Sequence, residues 1–162
     1  MSETFTVVPL NNKYHLWLEE LFTLEWGSAR VVTRGRLCSA LALPGFVALW
    51  KGEFGGAVTY KICGKECEVV TLSSLREGIG VGTALLNAVR KSAQAADCRR
   101  LWLITTNDNA EAQRFYKRRG FRLAAVHCNA IIEARTLRPE IPVLGRNGVP
   151  IRDGIEIELQ LS

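Results

Sequence analysis

Between Glu66 and Phe121 the chain sets a glycine turn (Gly78, Gly80 and Gly82) directly between a β-branched run and a helix-forming run. Val69, Val70, Thr71 and Leu72 read as a strand, and Thr83, Ala84, Leu85 and Leu86 continue into a helix. A strand that turns on glycines into a helix N-terminus aims backbone N–H groups at one point, with the positive end of the helix dipole behind them. Such a point receives phosphate. A second strand, Arg100 to Thr106, and a second helix carrying Asn109, Ala112 and Tyr116 follow at once. Two such units in this order demand an α/β fold, which a lone glycine motif would not.

The phosphate loop occupies Glu77, Gly78, Ile79, Gly80, Val81 and Gly82, and Thr83 begins the small-residue and leucine run after it. A later pattern, N-x-x-A-x-x-[FL]-Y-x-x-x-G-F, is met by Asn109, Ala112, Phe115, Tyr116, Gly120 and Phe121. On these two motifs the chain resembles the GNAT superfamily of acyl-CoA-dependent N-acetyltransferases. The family's loop reads Q/R-x-x-G-x-G/A, so Glu77 departs from it, with Arg76 just before. A carboxylate beside a pyrophosphate weakens the cradle without removing its backbone donors.

The resemblance implies one N-acetyltransferase domain over residues 1–162. Its fold would be a mixed, twisted sheet flanked by helices, in which a central strand pair splays. It implies acetyl-CoA as cosubstrate, held by Leu72, Ser73 and Ser74 along the pantetheine arm, by Glu77 to Thr83 at the pyrophosphate, and by Asn109 and Tyr116. The splayed strand would bind the arm as a pseudo-strand, with the backbone N–H of Leu72 or Ser73 as an oxyanion donor. Similar enzymes use a tyrosine at the place of Tyr116 to protonate the CoA sulfur. Many use a carboxylate at the place of Glu68 as base, directly or through water.

The residues themselves leave those roles open. Acetyl transfer to an amine needs the amine deprotonated from a pKa near 10, the carbonyl polarised, and a proton for the thiolate. Tyr116 lies seven residues after Asn109, about two helical turns, so the two share nearly one face. Read alone, it is an amphipathic core aromatic. Glu68 shares a strand face with Glu66 and is equally a solvent-facing carboxylate. Ser73 and Ser74 lack a G-x-S-x-G elbow, and neither His15 nor His127 is near them in sequence, which argues against acyl-serine chemistry.

Composition narrows the setting. With 162 residues, 48% hydrophobic and 23% charged, the chain has the makings of one cored globular domain. No signal peptide is read in MSETFTVVPL, and no apolar run nears the roughly 18 residues that cross a bilayer. Five cysteines (Cys38, Cys63, Cys67, Cys98, Cys128) at irregular spacing read as reduced thiols, so a cytoplasmic protein without membrane contact is expected. Cys63 and Cys67 have no second pair to make a zinc site, and no metal is expected. Residues 1–75 balance seven basic against seven acidic side chains. The whole net charge of +5 therefore lies in residues 76–162, the half that begins with the glycine turn. That excess suits a polyanionic cofactor or a solvated surface around Arg114, Lys117, Arg118, Arg119 and Arg122. Without interleaved aromatics it does not suggest nucleic acid.

Along the chain, strands are expected at Phe5–Pro9, Phe46–Trp50, Gly56–Ile62, Cys67–Leu72, Arg100–Thr106, Arg122–His127 and Ile155–Leu161. Helices are expected after Asn11 or Asn12, with Tyr14, Trp17, Leu18, Leu21 and Leu24 inward, and over Gly82–Ala95, with Ala84, Leu85, Val89 and Ala93 on the sheet. A third runs from a cap at Asp108 or Asn109 to Gly120, and a short one covers Ala130–Arg135. Residues 29–43 read as a poorly defined helical segment with loops. The proline- and glycine-bearing stretch 129–154 reads as an ordered excursion before the closing strand.

The partner expected is a small-molecule or peptide amine, with homodimer formation left open. The acceptor would be bounded by Trp26–Arg36, the strand pair around Trp50, and Asn129–Asp153. Those segments mix aromatics, Arg34, Arg36 and acids such as Glu25 and Glu133, so no charge class is selected. A non-catalytic acyl-CoA-binding or sensing module would keep the glycine turn but need neither Tyr116 nor Glu68. A Rossmann-type nucleotide binder is disfavoured, because Thr105-Thr106-Asn107 stands where a ribose-binding acid belongs.

Overall fold

The computed structural model describes residues 5–26, 30–33, 36–75, 78–145 and 147–161. Its main sheet has seven strands. They are β1 (Phe5–Pro9), β4 (Gly45–Trp50), β5 (Glu53–Cys63), β6 (Glu66–Ser74), β7 (Arg100–Thr106), β8 (Arg122–His127) and β9 (Gly154–Gln160). In space they run β1-β4-β5-β6-β7-β9-β8, and every pairing is antiparallel except β6 with β7. The mixed α/β sheet expected from the sequence is the one observed. A two-residue turn at Lys51 and Gly52, both with positive φ, joins β4 to β5.

Two apolar layers hold the sheet. On one face α2 (Val81–Ala95) and α3 (Ala110–Lys117) bury Val81, Leu85, Leu86, Val89 and Tyr116 against Val58, Cys67, Val69, Leu101, Leu103 and Ile157. On the other, α1 (His15–Trp26) and the 3₁₀ turn before it press Tyr14, Leu18, Leu21 and Phe22 onto Val47 and Ala57. Asn11 caps that turn, its side chain accepting from Lys13 N at 2.9 Å.

Leu24, expected inward, is 86% exposed. It lies six residues from the fully buried Leu18, about 240° around the helix, and Phe22 takes the inward place instead. Ala84, expected on the sheet, is half-buried and borders an outer cleft with Val7 and Phe46. The third helix stops at Lys117, and a turn carries the chain to Gly120, whose φ of +92° is left-handed.

Residues 29–43 are corrected more fully. Instead of helix they form β2 (Arg30–Thr33) paired with β3 (Arg36–Ser39), then a 3₁₀ turn at Ala40–Ala42. Val31, Val32 and Thr33 are β-branched, and that preference prevails over the weak helical spacing.

Two features of β6 shape everything near it. Its ladder with β7 has only three rungs, Glu66–Arg100, Cys67–Leu101 and Glu68–Trp102, although both strands continue. Their outer edges stay paired throughout, β6 with β5 and β7 with β9, so the inner edges diverge as a V beyond Glu68 and Trp102. The second feature is a bulge. Thr59 faces Thr71 and Tyr60 faces Val69, which leaves Val70 as the extra residue. At the closed end of the V, Arg100 bonds Glu158 at 2.6 Å and Glu156, and reaches Glu66 at 3.5 Å, tying β6, β7 and β9 together.

The excursion between β8 and β9 begins with α4 (Ala130–Ala134) and is ordered by two side chains. Arg135 donates to the carbonyls of Ile141, Pro142 and Ile151. Asn107, at the end of β7, donates to Pro150 O at 2.9 Å and accepts from Arg152 N at 2.8 Å and Asp153 N at 3.0 Å. Asn107→Ala is therefore expected to cost roughly 1–3 kcal/mol. Hydrogen exchange at the Arg152 and Asp153 amides should accelerate while the β7 core stays protected. Unchanged exchange there would place the anchor elsewhere.

Candidate active site

The glycine turn follows β6 beyond the open end of the V, and the other described residues singled out in the sequence lie on β6, α2 and α3. Gly78 and Gly80 both adopt left-handed φ, +82° and +84°, and a Cβ on either would meet nothing within 4 Å. Gly80 is the N-cap of α2 and supplies no side-chain cap. The first N–H groups of the helix thus face an open cradle at its dipole's positive end, which fits a pyrophosphate. At Gly82 a Cβ would sit 3.4 Å from the Phe115 ring, an ordinary packing contact with α3. Glu77 lies outside the described residues. Ile79 packs against the core and Val81 is buried within it.

Thr83 is held by a residue that the sequence reading left in a general basic patch. Arg119 Nε and Nη2 both donate to Thr83 Oγ1, at 3.0 and 2.5 Å, and Nη1 donates to Phe115 O at 2.7 Å. Its guanidinium lies 3.5 Å from the Phe115 ring centre. Arg114, Arg118, Arg119, Thr83, Phe115 and Glu111 line a cavity of about 630 Å³ beside the cradle. Three guanidinium-bearing residues against one carboxylate make it attractive to anions. The run Arg118-Arg119-Gly120 just after the helix was the available sequence signal.

Asn109 caps α3, its side chain accepting from Ala112 N at 3.0 Å. Tyr116 faces the sheet, 6% exposed, in edge contact with Phe115 and Phe121. Burial pushes its phenol well above the ordinary range, and Arg119 offsets this only in part. The hydroxyl therefore stays protonated at any physiological pH.

Glu68 occupies the last rung before the V opens and is 8% exposed. Residues opposite one another in a ladder share a face, so Glu68 goes with Lys61, Thr71 with Thr59 and Ser73 with Ala57. The bulge at Val70 thus places Glu68, Thr71 and Ser73 together on the α1 face, while Leu72 turns to the α2 face with Val58. Thr71 and Thr59 share a 2.6 Å hydroxyl contact, and Ser73 Oγ donates to Glu25 Oε2 of α1 at 3.0 Å. Ser74 is exposed at the strand's end. Cys67 points the other way into the core, where burial pushes its thiol up to about 12, with Cys98 and Glu68 adding to the effect. Cys63, Cys67, Cys98 and Cys128 are all free thiols. Among the described residues no His/Cys/Asp/Glu group could hold a metal, and no helix is long and apolar enough to cross a membrane.

Known proteins share this fold. The description Acetyltransferase (GNAT) family matches residues 11–121. The chain is 43% identical over 150 residues to the uncharacterised YdhI of Bacillus subtilis, covering 92% of this chain and 94% of that one. It is 36% identical over 142 residues to YxbD of the same organism, covering 87% and 89%. A GNAT family acetyltransferase of Elizabethkingia anophelis with acetyl-CoA bound superimposes with a TM-score of 0.71 at 18% identity, over 97% of this chain and 98% of that one. Arabidopsis thaliana Naa50 with a bisubstrate analogue gives 0.70 at 21% identity, over 97% and 99%.

The raised Tyr116 pKa has a thermodynamic consequence. Above about pH 10 an unfolded tyrosine ionises while Tyr116 in the fold does not, so its contribution is complete below pH 10 and declines as pH climbs towards the folded value. The decline should approach about 1.4 kcal/mol per pH unit. Urea unfolding of wild type and Tyr116→Phe between pH 9 and 11 measures it as a shrinking stability difference. Parallel curves would mean that the phenol titrates normally.

Proposed function

Because the chain belongs to the GNAT acetyltransferase family, we propose that it moves the acetyl group of acetyl-CoA to a primary amine by direct attack through a tetrahedral intermediate. The observation that carries this reading is the V between β6 and β7 opening onto the glycine cradle of α2. An extended pantetheine arm fits between the diverging edges as a pseudo-strand along Leu72, Ser73 and Ser74, and its pyrophosphate fits the helix N-terminus. The arginine-lined cavity beside Thr83 suits the remaining phosphate of the cofactor. The unpaired thiols of Cys63, Cys67, Cys98 and Cys128 suit a cytoplasmic setting.

In the reaction the amine lone pair attacks the thioester carbonyl, the C–N bond forms and the C–S bond breaks. One ammonium proton leaves before attack and a second after it, and the thiolate takes up one proton. A backbone N–H of Leu72 or Ser73 stabilises the oxyanion in this reading. Tyr116 offers a hydrogen bond to the departing sulfur. Its raised pKa favours sharing the proton over releasing it fully, since a thiol is ordinarily the stronger acid. Glu68 takes the amine proton, directly or through water. Cys67 is too basic and too deeply buried to carry the acetyl group, which supports direct transfer.

Acetyl-CoA at about a hundredfold over Kd should raise stability by roughly 2.7 kcal/mol, and NADH should not. Gly80→Val should lose this shift, because a branched side chain at φ +84° both strains the turn and enters the cradle. Retained affinity in folded Gly80→Val would sink the cradle assignment. For chemistry, Tyr116→Phe should reduce kcat on the order of 10²-fold with acetyl-CoA affinity intact. Glu68→Gln should lose turnover in a manner that recovers as pH rises. Acetyl-CoA binding with no turnover of any amine would favour a sensing module instead.

A further inference from the structure

The α1 face of β6 carries a carboxylate that the sequence named among the acids near the acceptor but gave no role. Glu25 stands in the last turn of α1, exposed, and accepts the hydrogen bond of the buried Ser73 hydroxyl at 3.0 Å. Ser73 lies on the part of β6 that has left β7, so this bond fixes a carboxylate directly above the strand edge proposed to hold the pantetheine arm. The position is a poor one for stability. A carboxylate at a helix C-terminus faces the negative end of the dipole, and α1 has no basic side chain in that turn to relieve it. Its partner is a neutral hydroxyl, which leaves the full negative charge available to a cation.

The bulge at Val70 is what brings the second carboxylate onto this face. Glu68 and Ser73 are five residues apart, which in an unbroken strand would put them on opposite faces. On the same sheet face as Ser73, β6 also carries Glu68, with Lys61 across from it on β5. Farther along the sheet, Glu66, Glu156 and Glu158 are engaged by Arg100, with Arg122 and His127 also on the latter two.

Resting on the acetyltransferase reading, we infer that Glu25 is a substrate-binding residue that docks the acceptor ammonium, selecting amines without a neighbouring carboxylate. An ammonium entering over Ser73 meets Glu25 at the strand edge, with Glu68 farther along the same face. Glu25 holds the ammonium while Glu68 takes its proton, directly or through water. The freed lone pair attacks the thioester carbonyl, the C–S bond breaks, and the thiolate takes up a proton as the amide forms. A free α-amino acid brings its own carboxylate within a few bonds of the nitrogen and is repelled by the same charges.

Four probes test this: propylamine, 1,4-diaminobutane, alaninamide and alanine, each assayed by release of the free CoA thiol. Wild type is expected to turn over the first three at least tenfold better than alanine. Glu25→Gln should bind acetyl-CoA within twofold of wild type by calorimetry and melt at the same temperature or slightly higher. Its kcat/KM for the accepted amines should fall at least tenfold at pH 7, and the deficit should narrow towards pH 10. Ser73→Ala keeps the carboxylate but loses its anchor, so a smaller loss with the wild-type pH profile is expected. Full activity in Glu25→Gln, a deficit independent of pH, a preference for alanine, or no turnover of any probe by a protein that binds acetyl-CoA each overturns the inference. Failure to bind acetyl-CoA at all would instead remove the acetyltransferase reading on which it rests.

Discussion

The parting of β6 from β7 after Glu68 and Trp102 governs the rest of the molecule. A parallel pair buried in a sheet ordinarily continues to the strand ends, because abandoned N–H and C=O groups are costly there. Here each strand is committed on its far side for its whole length, β6 to β5 and β7 to β9, and Arg100 with Glu66, Glu156 and Glu158 binds the closed end. The opening is therefore built by rigid neighbours and not by a weak strand. What it leaves is a backbone surface suited to an extended ligand, standing between two helices of different chemistry.

Those two sides are electrostatically opposite. On the α2 and α3 side, the helix dipole, the left-handed glycines and Arg114, Arg118 and Arg119 make a region for anions. On the α1 side, Glu68 and Glu25 flank the same strand. A reaction that joins a polyanionic acyl donor to an amine suits that polarity, since each partner is drawn to its own face. Arg119 links the cradle to α3 by bonding Thr83 and Phe115 at once, so the loop's geometry depends on the helix that also carries Tyr116.

The excursion between β8 and β9 follows the same economy of anchors. It has little secondary structure of its own, yet Asn107 and Arg135 satisfy its carbonyls and amides one by one. Because Asn107 ends β7, the excursion is fixed to the strand that forms one arm of the V. Gly145 packs so closely on Asp108 that a Cβ there would lie 2.2 Å from its carboxylate oxygen. This segment is thus positioned by the same strand that helps define the opening.

Local chemistry was enough to read much of this from the chain. Glycines that need left-handed φ, a cap at Asn109, the alternation of β9 and the apolar run of β7 are each decided by neighbours a few residues away. The hairpin of β2 and β3 was not legible, because its β-branched run is short and competes with weak helical spacing. Nor was the facing of Glu68. Counting by twos sets it against Ser73, and one extra residue at Val70, fixed by how β6 registers on β5, reverses that. Glu25 meets Ser73 only because α1 lies across the sheet, a contact between residues 48 apart in sequence. Local pattern settled most of the elements, the glycine turn before α2 and the family. Tertiary structure decided which side chains share a face, since register, splay and helix placement come from long-range packing that no local pattern encodes.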